Sequence, residues 1–532
     1  MKLRRMRIAG AVLTALVALT VVSGCTGHAS STTSASSSTF VYAPNLDVVT
    51  DWDPATSYSN EIRVMGNVYE TLTRYNTTTK KVEPLLATSW KSSDDGRTWT
   101  FTLRDGVKFH SGRTLDATAV KESIERTQKL AGGAAYIWES VDAISAPDPH
   151  TVVFTLKYPA PIDLISSSAY AAYVYDVNAG AGADLKQWVA TGKDAGSGPY
   201  TVKKWAKGQE VEVTLSAFDR YWGGWKGSHY KSVEYRVTPD LTTAWQLLQS
   251  GDVQMVERLT PQLFDQAKHT TGISTSSTPS FQNLIAFFNT ADGPMADPNV
   301  RKAVRDAIDY HGLVSSLGGA ATVAHGVVPE GLLGYDDKIA PRQDLAAAKA
   351  ELQKAGYGPG GKPLTLTMTY AQGDSDQQQF ATLLSSSLQQ LGVTLQAQPL
   401  QWNAQWDKGK SDDHAQRQDI FLMYWYPDYA DPYSWFVNLY HSADPAYFNM
   451  AYWNSPAADT LIDGLPALTA TDRGAAQKSY EQLQQMVQDD AVSAVLYVQT
   501  YQRAWSGTVK GYADNPAYPN VPFVYGMGPG GN

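Results

Sequence analysis

The residues best suited to bind something stand together in Phe421-Leu-Met-Tyr-Trp425-Tyr-Pro-Asp428-Tyr-Ala-Asp-Pro432. An apolar run there ends at a Pro/Asp turn, and loops at strand ends are where mixed folds place ligands. An acid such as Asp428 beside Trp425 and Tyr426 can hold an ammonium, with the rings supplying packing area and a low dielectric. Asp is also a common turn residue, and Asp428 follows Pro427, so a capping role fits the residues equally well. Both readings stay open at this level.

Other chemical patterns fail on context. Gly356-Tyr-Gly-Pro-Gly-Gly-Lys362 is close to a phosphate loop, but Pro363 stands where magnesium needs a hydroxyl, and the segment leaves a helix. Gly526-Met-Gly-Pro-Gly-Gly531 has dinucleotide-loop spacing, yet no helix follows it to donate amides. The nine His show no metal-ligand spacing, no G-x-S-x-G elbow occurs, and the single Cys excludes a Cys-based zinc or iron–sulfur site. Acid pairs such as Asp94-Asp95, Asp412-Asp413 and Asp489-Asp490 fit turns and helix ends better than a glycosidase centre. No catalytic constellation, metal site or cofactor is expected.

These residues need elements to carry them. Trp99, Phe101 and Leu103 alternate with polar residues, as do Val211, Val213 and Leu215, then Val233, Tyr235 and Val237, then Leu364, Leu366, Met368 and Tyr370. That period predicts strands with one buried face. Val300, Ala303, Val304, Ala307 and Ile308 fall on one helix face. Asp344 and Gly356 bracket an Ala-rich helix, and a further helix is predicted after Thr471 through Leu483 and Met486. Strands and helices interleave, so the fold class is α/β or mixed α+β. The 532 residues require more than one structural unit, and a net charge of −9 argues against nucleic acid.

The amino terminus predicts export. Lys2, Arg4, Arg5 and Arg7 precede an uncharged run over Ile8–Val22, which suits a signal peptide and is short for a membrane span. It leads into Val22-Ser-Gly-Cys25, which resembles a bacterial lipobox, with lipid expected on Cys25. Ten of the fourteen residues from Thr26 to Thr39 are Ser or Thr, a composition suited to a flexible tether.

Four ordered blocks decide the family resemblance. Glu83–Trp90 with Ser93–His110, Gly196–Tyr200 with Phe218–Gly224, Asn299–Asp309, and Ala348–Tyr357 are similar to those of the family 5 extracellular solute-binding proteins of ABC importers. That group includes oligopeptide-, dipeptide- and nickel-binding proteins. The resemblance runs from about Phe40 to about Trp505. It implies a two-lobed periplasmic-binding-protein-like clamshell with an extra domain inserted in the N-terminal lobe. On this chain residues 1–24 would be signal peptide and 25–39 tether. Lobe I would take 40–70, 190–275 and 490–532, the inserted domain 71–189, and lobe II 276–489.

The implied function is a non-enzymatic receptor, lipid-anchored to the outer face of the cytoplasmic membrane, that closes on a peptide and delivers it to permease subunits. The alternatives are an oligosaccharide or a nickel or haem chelate as ligand and, in another class, an exported hydrolase. A monomer is expected. In peptide-binding members an acid three residues after a strand Trp pairs with the peptide's ammonium, which assigns that role to Asp428 after Trp425. The resemblance also assigns Trp402 to a side-chain pocket with Trp425, and Ser57, Tyr58 and Ser59 to backbone pairing with the peptide opposite Tyr426. It supplies no counterpart for a cation on the peptide's carboxylate.

Overall fold

The structure, a computed structural model, describes residues 38–530. Cys25, the signal segment and most of the expected tether lie outside the described residues. The last tether residue, Thr39, already belongs to a strand, Thr39–Ala43, in parallel register with Ser232–Arg236.

The main sheet has eleven strands, and two long ones form its spine. Ile273–Phe288 runs antiparallel to Ser493–Ser506. Its first part, Ile273–Pro279, pairs with Thr500–Ser506, and its second, Asn283–Phe287, with Ser493–Val498. The ladder is interrupted between Pro279 and Asn283, as expected where a proline removes a donor. Ser280 stitches the interruption: its Oγ donates to the Gln499 carbonyl at 2.6 Å and accepts from the Gln282 amide at 3.0 Å.

The sheet grows differently on each side of that interruption. Near Trp505 it continues through Met255–Val256 to Thr39–Ala43, Ser232–Arg236, Val211–Ala217 and Tyr200–Trp205. Beyond Asn283 it continues through Ile420–Trp425 to Leu364–Ala371 and Val393–Leu400. The helices Pro298–Ala307 and Leu345–Lys354 pack beside this second part. The second begins as the residues predict, with Asp344 as N-cap and Gly356 beyond its end in the left-handed region at φ +80°, and the structure gives the first Asp297 as N-cap. Arg473–Asp489 forms the third predicted helix.

A separate antiparallel sheet orders Ala87–Ser92, Thr98–Leu103, Thr151–Leu156 and Val141–Asp148. Trp99, Phe101 and Leu103 point inward as their alternation requires, and the helix Ala117–Leu130 packs on this sheet. All four alternating segments are strands; only Val237 falls outside its own, which ends at Arg236 after a bulge. The loop resembling a phosphate site closes on itself, with the Lys362 amide donating to the Gly356 carbonyl. The terminal glycine segment pairs Gly528–Pro529 with Val509–Lys510.

Candidate ligand-binding cleft

Ile420–Trp425 is buried because it is flanked on both sides within the sheet. Its chain leaves at Tyr426 and Pro427 and reaches the helix Tyr433–Leu439 through two acids with different tasks. Asp431 is the turn acid: it accepts the Tyr433 amide at 2.9 Å and the Tyr480 hydroxyl at 2.5 Å. Asp428 caps nothing. Among the described residues no backbone N–H reaches its carboxylate, so the capping reading left open by the sequence does not hold.

Asp428 is 2% exposed, and among the described residues its carboxylate accepts only two phenols. The Tyr58 hydroxyl donates at 3.0 and 3.3 Å, and the Tyr136 hydroxyl donates a short bond. Burial pushes the Asp428 carboxyl up from its ordinary 3.8 to about 6, and the two phenol bonds only partly offset it. Burial first, and then the Asp428 charge, hold both phenols well above their ordinary value, so they remain donors. Tyr58 comes from the loop before the helix Ile62–Val68, and Tyr136 from the short turn Ala135–Trp138.

Asp428 and Tyr58 face a cavity of about 780 Å³, lined from both parts of the main sheet, and Tyr136 supports Asp428 without lining it. Tyr58, Ser59, Trp402, Trp425, Tyr426 and Asp428 all line it. Ser57 does not: it is buried behind the loop with its Oγ unpartnered. The Ser59 carbonyl accepts the Tyr170 hydroxyl at 3.0 Å, and that hydroxyl lies 3.0 Å from the Tyr426 hydroxyl. The carbonyl expected to pair with a ligand backbone therefore already has one partner, with its second lone pair left over.

The two tryptophans meet through intermediaries. Trp402 opens the helix Trp402–Gly409 and is 47% exposed, whereas Trp425 is buried. Trp406 stacks edge-on against Trp402 at 5.3 Å and against Phe448 at 5.4 Å, and Phe448 meets Trp425 at 5.2 Å. Trp406, Phe448 and Tyr136 are absent from the sequence reading. Trp406 lies four residues after Trp402, one helical turn on, and was findable by that spacing. Tyr136 lies 292 residues from Asp428 and carries no local signal. Three guanidiniums, of Arg63, Arg258 and Arg503, also line the cavity.

Residues 81–447 match the model of the family described as bacterial extracellular solute-binding proteins, family 5 Middle. The chain is 32% identical over 482 residues to the probable D,D-dipeptide-binding periplasmic protein DdpA of Escherichia coli (strain K12), spanning 88% of this chain and 90% of that one. Among solved structures it resembles the periplasmic binding protein DppA of Helicobacter pylori in complex with the peptide STSA. The TM-score is 0.78 at 23% identity, over 92% of this chain and 98% of that one. It also resembles NikA of Brucella suis in complex with Fe(III)-EDTA, with a TM-score of 0.79 at 20% identity, over 92% and 99%. The fold is the mixed α/β, two-lobed arrangement of periplasmic binding proteins.

Proposed function

The chain belongs to the family 5 bacterial extracellular solute-binding proteins, and from that premise we propose that it is a peptide receptor of an ABC importer. It captures peptides by their amino-terminal ammonium at Asp428, encloses them by hinge closure and hands them unaltered to a permease. Lipid on Cys25 holds it, as a monomer, at the outer face of the membrane. The lobes divide as 40–70, 190–275 and 490–532 against 276–489, with 71–189 as the inserted domain. They bend where the ladder is interrupted between Pro279 and Asn283.

One observation carries this reading. Asp428 is a buried carboxylate whose only partners among the described residues are neutral phenols. A buried charge without a counter-charge is costly, and a ligand ammonium removes that cost. The relatives named for a D,D-dipeptide and solved with a tetrapeptide support peptide as the ammonium's bearer.

The test is the melting temperature with free tri- to pentapeptides and with the same peptides amino-acetylated. Ligand at 100 times Kd adds about 2.7 kcal/mol of stability. A shift that acetylation abolishes is the expected result. A shift with both sets removes the Asp428 anchor, and a shift with neither moves the ligand to an oligosaccharide or a metal chelate. Recovery of the peptide cleaved would replace the receptor with a hydrolase.

A further inference from the structure

The three guanidiniums on the cavity are not equally engaged. Arg503 is fully occupied: Nε donates to Asp514 at 3.3 Å, Nη1 to the Glu257 carbonyl at 2.7 Å and Nη2 to Asn520 at 2.5 Å. Arg258 donates only through Nη2, to both oxygens of Asp376 at 2.9 and 3.0 Å, and Asp374 acts on it as well. Two acids beside one cation disfavour a third carboxylate there. Arg63 differs from both. Its Nη2 donates to Glu257 at 2.8 Å, while Nε and Nη1 are buried with no partner among the described residues.

Buried donors without an acceptor are costly, and a charged one most of all. Among the described residues that line the cavity, Arg63 alone carries such atoms. It stands in the first turn of the helix Ile62–Val68, five residues after Tyr58, which donates to Asp428. Its relation to Asp428 is read at Tyr426, whose hydroxyl lies 3.0 Å from that of Tyr170. Burial holds the Tyr426 phenol above its ordinary value, the Asp428 charge adds to that, and the Arg63 charge opposes it. An unneutralised acid and a guanidinium with donors to spare thus stand on either side of one tyrosine.

We propose that Arg63 holds the carboxylate of the bound peptide through Nε or Nη1 while Asp428 holds its ammonium, so that the cleft reads both ends of a short zwitterionic peptide. Glu257 keeps Nη2 and is a positioning residue, and no ion pair has to break. This deepens the ammonium-anchor reading and rests on it. A fixed site for each end also sets ligand length, because each added residue lengthens the chain by at most about 3.6 Å.

The experiment measures Kd of the full-length exported protein for dialanine, trialanine and tetraalanine, each as free acid and as amide. The tightest acid should bind roughly tenfold or more tighter than its own amide. A smaller advantage, or none, overturns the inference while leaving the peptide reading standing. Binding of neither acids nor amides overturns the peptide reading, and the inference with it. Arg63→Gln combined with Glu257→Gln removes the guanidinium without stranding its acid. In that variant the acid's advantage should vanish while the amide keeps the parent's Kd. An undiminished advantage, or an equal loss for acid and amide, removes Arg63 from the role. If the variant does not fold, the parent's ratio of acid to amide decides alone.

Discussion

At the scale of single residues, Asp428 gives the sharpest expectations. Asp428→Asn keeps the shape but removes the charge that faces a ligand ammonium. Removing one partner of a buried charge pair costs about 2–5 kcal/mol of binding, so peptide affinity should fall by roughly 30-fold or more in calorimetry. The ligand-free melting temperature should hold or rise, because the buried charge that burial disfavours is gone. The parent's pH dependence follows from the same group. Its folded value of about 6 lies above the ordinary 3.8, so the fold binds the extra proton between those values. Ligand-free stability should therefore decline, by on the order of 3 kcal/mol in all, as pH rises from below about 4 to above about 6. Peptide binding needs the ionised form, so affinity should drop about tenfold from pH 7 to pH 5, and Asp428→Asn should abolish that dependence. Asp428, Trp425 and Tyr426 were legible because one stretch of chain carries them. Tyr136 was not, since only tertiary folding brings it to the carboxylate.

At the scale of elements, the paired long strands hold their shape through buried polar contacts as well as the ladder. Asn283, fully buried where the ladder resumes, accepts the Trp435 indole N–H at 3.0 Å and donates to the Val327 carbonyl at 2.9 Å. Asn283→Leu leaves both partners buried and unmatched, at about 1–3 kcal/mol each. Thermal unfolding should show a loss on the order of 3 kcal/mol. Most strands and helices were legible from period and caps, because Trp99–Leu103 or Val300–Ala307 each bury one face and therefore alternate or recur. The interrupted ladder was not. Pro279 is visible in the sequence, but its partner strand lies more than 200 residues away, and only pairing shows that the two long strands serve both parts of the sheet.

At the scale of the whole molecule, the anchor proposal predicts location. Cys25→Ser should leave the folded part intact and move the protein from the membrane fraction to the medium or periplasm, as read by fractionation and immunoblot. Family and two-lobed fold were legible because four blocks recur in order along the chain. The ion pairing beside the cavity was not, since Arg258 and Asp376 stand 118 residues apart and meet only in the fold. Leu46 and Trp402 line the cavity while remaining 54% and 47% exposed, and that exposure has a use. The sequence holds one Cys, at position 25, so the described residues contain no thiol. Cysteines introduced for Leu46 and Trp402 would be the only labelling sites there, on exposed side chains supplied by segments far apart in the chain. Spin labels or a fluorophore pair at those two positions turn the molecule into a gauge of its own aperture, read in real time as peptide arrives and leaves.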